Sequence, residues 1–172
     1  MLEIKPGRLK HDLGFSLPLD MQAVCDPAAY GYADVVSGAL LAFCGKADNA
    51  AGEIQINGRL TAQLTLICSR CGAPFMLELA LPFAEIYSCG AVNQDSGGEQ
   101  DKHHFTGDII DITPEALRLL FAELPMKPLC REDCRGLCPL CGADLNKEGC
   151  GCAKDDIDPR WEKLRDLLSG YE

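Results

Sequence analysis

The chain has 172 residues, 47% of them apolar, and carries a formal net charge of −10. A field of that sign repels phosphate backbones at long range, which argues against free-standing nucleic-acid binding through bulk electrostatics. The start, MLEIKPGRLK, has no apolar run behind its basic residues, and no later stretch approaches the roughly 20 apolar residues of a membrane span, so a cytoplasmic location without a membrane partner is expected.

In chain order, Val35 to Cys44 reads as a strand apolar enough to be buried on both faces. From Ile54 to Cys68 the even positions Ile54, Ile56, Leu60, Ala62, Leu64, Leu66 and Cys68 are apolar, the pattern of a half-buried strand. Asn57 and Gly58 resemble a type I′ hairpin turn, but folding back there would put Ile54 and Ile56 on one face with Arg59, Thr61 and Gln63. Unbroken parity favours one long strand, bent or bulged at Gly58. Met76 to Tyr87 alternates through Leu77, Leu79, Leu81 and Phe83, with Pro82 marking an edge or bulge.

Residues 91–106 are polar and lack an apolar period, so an exposed loop is expected, with His103 and His104 facing solvent. A short strand around Ile109 to Ile112 precedes a helix over 114–124. Thr113 is its expected N-cap and Pro114 its first residue, and Leu117, Leu120, Phe121 and Leu124 give it an apolar stripe to pack on the sheet. Asp158 and Pro159 open a C-terminal helix with Trp161, Leu164, Leu167 and Leu168 on one face, Trp161 anchoring the cysteine-rich module. The expected fold is α+β: an antiparallel, barrel-like sheet domain over 1–125 and a Cys-rich zinc module with its helix over 126–172.

Eleven cysteines in a chain of a reducing compartment point to metal or redox chemistry rather than structural disulfides. Six of them fall between Cys130 and Cys152. Cys138, Cys141, Cys150 and Cys152 form CxxC and CxC pairs, enough for one tetrahedral Zn2+ site, with Pro139 and Gly142 suiting the tight turn and Gly149 and Gly151 permitting close backbone approach. Cys68 and Cys71, on a turn after the long strand, and Cys130 and Cys134, after the helix, can make a second site that clamps the sheet to the C-terminal module. The competing readings leave Cys68 as a core residue and Cys71 as a free thiol, or draw a single site from Cys134 or Cys130 with three of the distal four, so one or two Zn2+ per chain are expected. Cys25, Cys44 and Cys89 have no ligand spacing and read as buried structural cysteines.

CSRCGAPF after a strand, CREDCRGLCPLCGADLN, CGC and DPRWEKLRDL together resemble the YceD family of large ribosomal RNA subunit accumulation proteins, over residues 60 to 172. The resemblance implies a bacterial or organellar protein tied to accumulation or processing of large-subunit (23S) ribosomal RNA, without catalytic chemistry. It places the family motif on Cys68, Arg70, Cys71, Cys130, Cys134, Cys138, Cys141, Cys150 and Cys152. Relatives that lack much of the distal set imply a structural metal there.

Charge is unevenly spread. Residues 1–125 carry eight basic and sixteen acidic side chains, and 126–172 carry eight and ten. The acidic body favours a basic ribosomal protein as partner, and only the balanced C-terminal end, with Arg131 and Arg135, suits ribosomal RNA. Arg70, between two candidate ligands, is placed to bind a thiolate or a phosphate. The alternative is a thiol oxidoreductase or redox or zinc sensor using CSRC or CPLC. A redox CxxC usually opens a helix in a βαβ unit, and neither pair here does. The sequence holds no nucleophile–base pair and no phosphate-binding glycine loop, so neither an enzyme nor a small-molecule substrate is expected.

Overall fold

A computed structural model of the chain describes residues 1–26, 38–90 and 102–152. The chain divides into two compact units, Met1–Cys130 and Arg131–Glu172. The first contains β1 (Glu3–Ile4), a 3-10 turn (Gly7–Lys10), β2 (Ser16–Cys25), β3 (Ala39–Ala50), β4 (Glu53–Ile67), β5 (Pro74–Cys89), β6 (Lys102–Phe105), β7 (Ile110–Asp111) and α1 (Thr113–Glu123). Strands β2 to β6 form one sheet in chain order, and β1 pairs with β7 in a second. The C-terminal helix and Trp161 expected from the sequence lie outside the described residues, as do 91–101 of the expected loop and the first residues of the expected strand at Val35.

The long meander follows from parity. In β4 the even residues from Ile54 to Leu66 face inward, and β5 contributes Leu81, Phe83 and Tyr87 to the same buried layer. Burying such side chains is worth roughly 1.5–3 kcal/mol each. Strand β3 also alternates, with Leu41, Phe43 and Ala47 inward and Leu40 and Cys44 exposed, so the expectation of burial on both faces does not hold. Its apolar run exceeds what one covered face requires. Of the three cysteines without ligand spacing, Cys25 is buried, but Cys44 and Cys89 are exposed.

The hairpin between β3 and β4 turns at Ala51 and Gly52, both with positive φ, while Asn57 and Gly58 continue straight through β4. Pairing is continuous on both sides of Gly58, so the strand is not bulged there. The glycine has another cause. Gly58 lies opposite Gly45, and a Cβ on Gly58 would come within 2.5 Å of the Cys44 carbonyl oxygen and 2.8 Å of the Phe43 ring. The paired glycines leave the space that the Phe43 ring takes, edge-on to Phe83 at 5.4 Å between centroids.

Pro82 pairs with Arg59 on β4, and β6 reaches only Ile86 to Cys89 of β5, so the proline sits where its missing N–H costs no ladder bond on that outer side. The β5–β6 pair is parallel, which makes the sheet mixed rather than antiparallel throughout. It also corrects the reading of 102–105 as exposed loop. His103 lies between two carboxylates, with Nε2 3.0 Å from Glu85 and Nδ1 3.2 Å from Glu115. The Tyr87 hydroxyl donates to Glu115 at 3.1 Å, and burial together with that carboxylate pushes the phenol well above its ordinary range. Phe105 is buried, whereas His104 is exposed as expected. A four-residue strand held by polar contacts has no hydrophobic period to betray it.

Helix α1 sends Ala116, Leu117 and Leu120 into the core that the sheet builds and ends where Leu124, before Pro125, turns to extended backbone. Thr113 is inside the helix rather than its cap. Its hydroxyl accepts the Leu2 N–H at 2.8 Å, and Asp111 accepts the Thr113 N–H at 2.9 Å.

Because backbone, not a flexible side chain, occupies the space beside Gly58, Gly58→Ala is expected to destabilise the sheet by about 1–3 kcal/mol through overpacking. Urea denaturation of the two proteins measures it, and an unchanged midpoint would contradict the close glycine pair.

Candidate metal centres

Two groups of four cysteines converge. The Sγ atoms of Cys68, Cys71, Cys130 and Cys134 all lie within 4.8 Å of one another, and so do those of Cys138, Cys141, Cys150 and Cys152. These are the two sets that spacing singled out, and either can hold a metal ion. The 3.8 Å between the sulfurs of Cys71 and Cys130 is far longer than a disulfide. It matches the edge of about 3.8 Å that a tetrahedron of sulfurs has around an ion with bonds of about 2.3 Å.

The same local structure presents both CxxC pairs. At Cys68 the backbone N–H donates to the Ala73 carbonyl at 2.9 Å, and Gly72 N–H donates back to Cys68 at 2.9 Å. At Cys138 the partners are Ala143, at 2.8 Å, and Gly142, at 2.9 Å. Glycines 72 and 142 have φ of 70° and 73°, the left-handed region that closes such a turn. The sequence signal is the repeat CSRCGA and CPLCGA, which the sorting of cysteines by spacing overlooked.

Turns of this kind aim N–H groups at sulfur. The backbone N–H of Cys130 pulls the Cys68 thiol down to about 6 against the opposing effect of burial, with help from the N–H groups of Cys71 and Arg70. Cys138 is likewise lowered to about 6, first by the Cys141 N–H and then by that of Leu140. Cys152 goes the other way, raised to about 12 chiefly by its contact with the Cys141 sulfur. Negative charge on neighbouring sulfurs resists another thiolate. Each set thus has one sulfur readied as a thiolate, Cys68 in the first and Cys138 in the second, and in the second set Cys152 is held protonated by crowding, a conflict that a thiophilic cation relieves.

The candidate basic residues are placed differently. Arg70 is exposed, and its backbone N–H is one of the groups that lower the Cys68 thiol. Arg131 donates to Asn146 at 2.9 Å and lies 3.4 Å from Asp133, while the Arg135 side chain is exposed. Asn146, which sequence reasoning passed over, sits at the hub of the second unit's polar contacts. Only its place in GADLN, just after the knuckle, hinted at this.

A family model described as large ribosomal RNA subunit accumulation protein YceD matches residues 56–168, a span containing all eight converging cysteines. The chain belongs to the YceD family. An uncharacterized protein of Mycobacterium tuberculosis is 31% identical over 132 residues, covering 76% of this chain and 63% of the relative. YlbN of Bacillus subtilis is 28% identical over 127 residues, 72% of each chain. In Arabidopsis thaliana, the chloroplastic large ribosomal RNA subunit accumulation protein YCED homolog 1 is 25% identical over 142 residues, 67% of this chain and 44% of the relative. The chain spans between 57% and 63% of the length of the mycobacterial relatives it matches. No solved structure matches it.

Nothing lies within 4 Å of a Cβ added at Gly142, so Gly142→Ala tests backbone conformation alone. The left-handed strain of about 1–2 kcal/mol is expected to weaken metal uptake by the Cys138 set roughly tenfold, as read by competition with a chelating dye. Equal affinity in the variant would mean that the turn does not set the ligand geometry.

Proposed function

We propose that this protein is a metal-stabilised, non-enzymatic factor that supports accumulation of large-subunit (23S) ribosomal RNA by binding a ribosomal precursor in the cytoplasm. The observation that carries the proposal is the family match itself, since a family described by large-subunit RNA accumulation covers both cysteine sets. Each set binds one Zn2+, for which four cysteine sulfurs in tight turns are the usual structural ligands. When bound, the ion supplies cross-linking rather than chemistry. The chain's own turns contribute the N–H groups that hold the sulfurs in place.

Charge chooses between precursor components. A protein of net charge −10 gains little from displacing counterions on RNA, so its acidic surface favours a basic ribosomal protein within the precursor. The exposed Arg135 side chain provides a local contact with the particle. Among the described residues, no helix is long and apolar enough to cross a membrane.

Two ions per chain are expected by native mass spectrometry, falling to one in Cys138→Ser. Deleting the gene should lower mature large-subunit RNA relative to small-subunit RNA, and Arg135→Glu should weaken co-sedimentation with precursor particles while both ions stay bound. Normal subunit ratios in the deletion strain, combined with turnover of a dithiol substrate by the purified chain, would replace this proposal with the thiol oxidoreductase reading.

A further inference from the structure

Within the second unit, one asparagine makes an unusual set of contacts. The Asn146 side-chain oxygen accepts from the Arg135 backbone N–H at 2.8 Å and from the Arg131 guanidinium at 2.9 Å. Neither donor can accept, which fixes the orientation of the amide. Its nitrogen then faces the other way, donating to Asp144 Oδ1 at 2.8 Å and to the Cys134 sulfur at 3.5 Å. The Asn146 backbone N–H also donates to Asp144 Oδ1, at 3.0 Å.

Asp144 is the residue after the Cys138–Ala143 knuckle, and it is bridged across to Leu137. Cys134 belongs to the other set of four. Asn146 is therefore fastened to the turn that shapes one cysteine set while its N–H reaches a ligand of the other. Hydrogen bonds to a metal-bound sulfur orient the ligand and withdraw charge from it, and their loss typically costs about 10–100-fold in metal affinity.

We propose that Asn146 is a positioning residue for the Cys134 thiolate and that, through Asp144, it couples metal loading of the two cysteine sets. The inference rests on the metal-site reading above. An ion that orders the Cys138 knuckle fixes Asp144, which fixes Asn146 and presents its N–H to Cys134. By linkage the effect is reciprocal: occupancy of either set raises the affinity of the other by the same factor.

Titration of metal-free protein with Co2+, followed by native mass spectrometry and by the sulfur-to-cobalt charge-transfer band, reads both parts. The wild type is expected to pass from no ion to two with little of the one-ion form. Asn146→Ala should accumulate the one-ion form and bind its second ion about tenfold more weakly. Asn146→Asp keeps the shape and the contacts to Arg131 and Arg135 but turns a carboxylate oxygen toward the sulfur, so it should do worse. Hydrogen exchange across β4 and β5 establishes that each variant retains its sheet. Cys141→Ser, which breaks the second set, should weaken the first about tenfold in the wild-type background and leave it unchanged in the Asn146→Ala background, a result that simple loss of packing does not give. Two ions bound with identical populations in wild type and variants would overturn the coupling alone. A wild-type chain that takes up no ion would overturn both this inference and the metal reading beneath it.

Discussion

Four sulfurs held within 4.8 Å of one another cannot all carry charge without a cation between them. That repulsion is visible in opposite displacements inside a single set, where Cys138 is drawn down to about 6 by backbone N–H groups and Cys152 is driven up to about 12 by its sulfur neighbours. The backbone does part of the cation's work in advance. Each CxxC turn spends its free N–H groups on sulfur, and each needs a glycine at positive φ to close behind the second cysteine. The second unit, whose described residues show only the isolated Leu137–Asp144 bridge in place of named strands or helices, depends most on this arrangement.

What the sequence disclosed was what is periodic. Parity across fifteen residues identified β4 as one strand, and ligand spacing separated eight cysteines from the other three. Contacts between residues far apart in the chain left no such trace. The Gly45–Gly58 pair is a three-dimensional accommodation of Phe43, and from sequence alone Gly58 suggested only a bend or bulge. Thr113 carries every local mark of an N-cap, yet its hydroxyl is claimed by Leu2 from the opposite end of the unit. The polar strand β6 reads as loop because Glu85 and Glu115, on other elements, are what hold His103.

The cysteine repeat is a different case, since its signal was present and unused. CSRCGA and CPLCGA agree in the first cysteine, the second, the glycine and the alanine. The physical content lies in the last two: glycine supplies the left-handed residue and alanine the carbonyl that receives the first cysteine's N–H. Ligand intervals and Gly142 indicate the metal set and a turn, but only the repeat shows that one and the same turn builds both CxxC pairs. Asn146 likewise becomes meaningful only when its two faces are seen to point at different cysteine sets.

The pairing of β1 with β7 sets an order of events for the first unit. Strands β2 to β5 pair with their neighbours in sequence, whereas the bond from Leu2 to Thr113 spans 111 residues. Chain closure of that length is entropically late. The meander thus assembles before the N-terminal strand docks, and the N-terminal segment is the natural first place for the folded unit to open. Nascent chain emerging from a ribosome meets the same constraint: the Leu2 backbone N–H finds the hydroxyl that receives it only after Thr113, 111 residues on, has been synthesised.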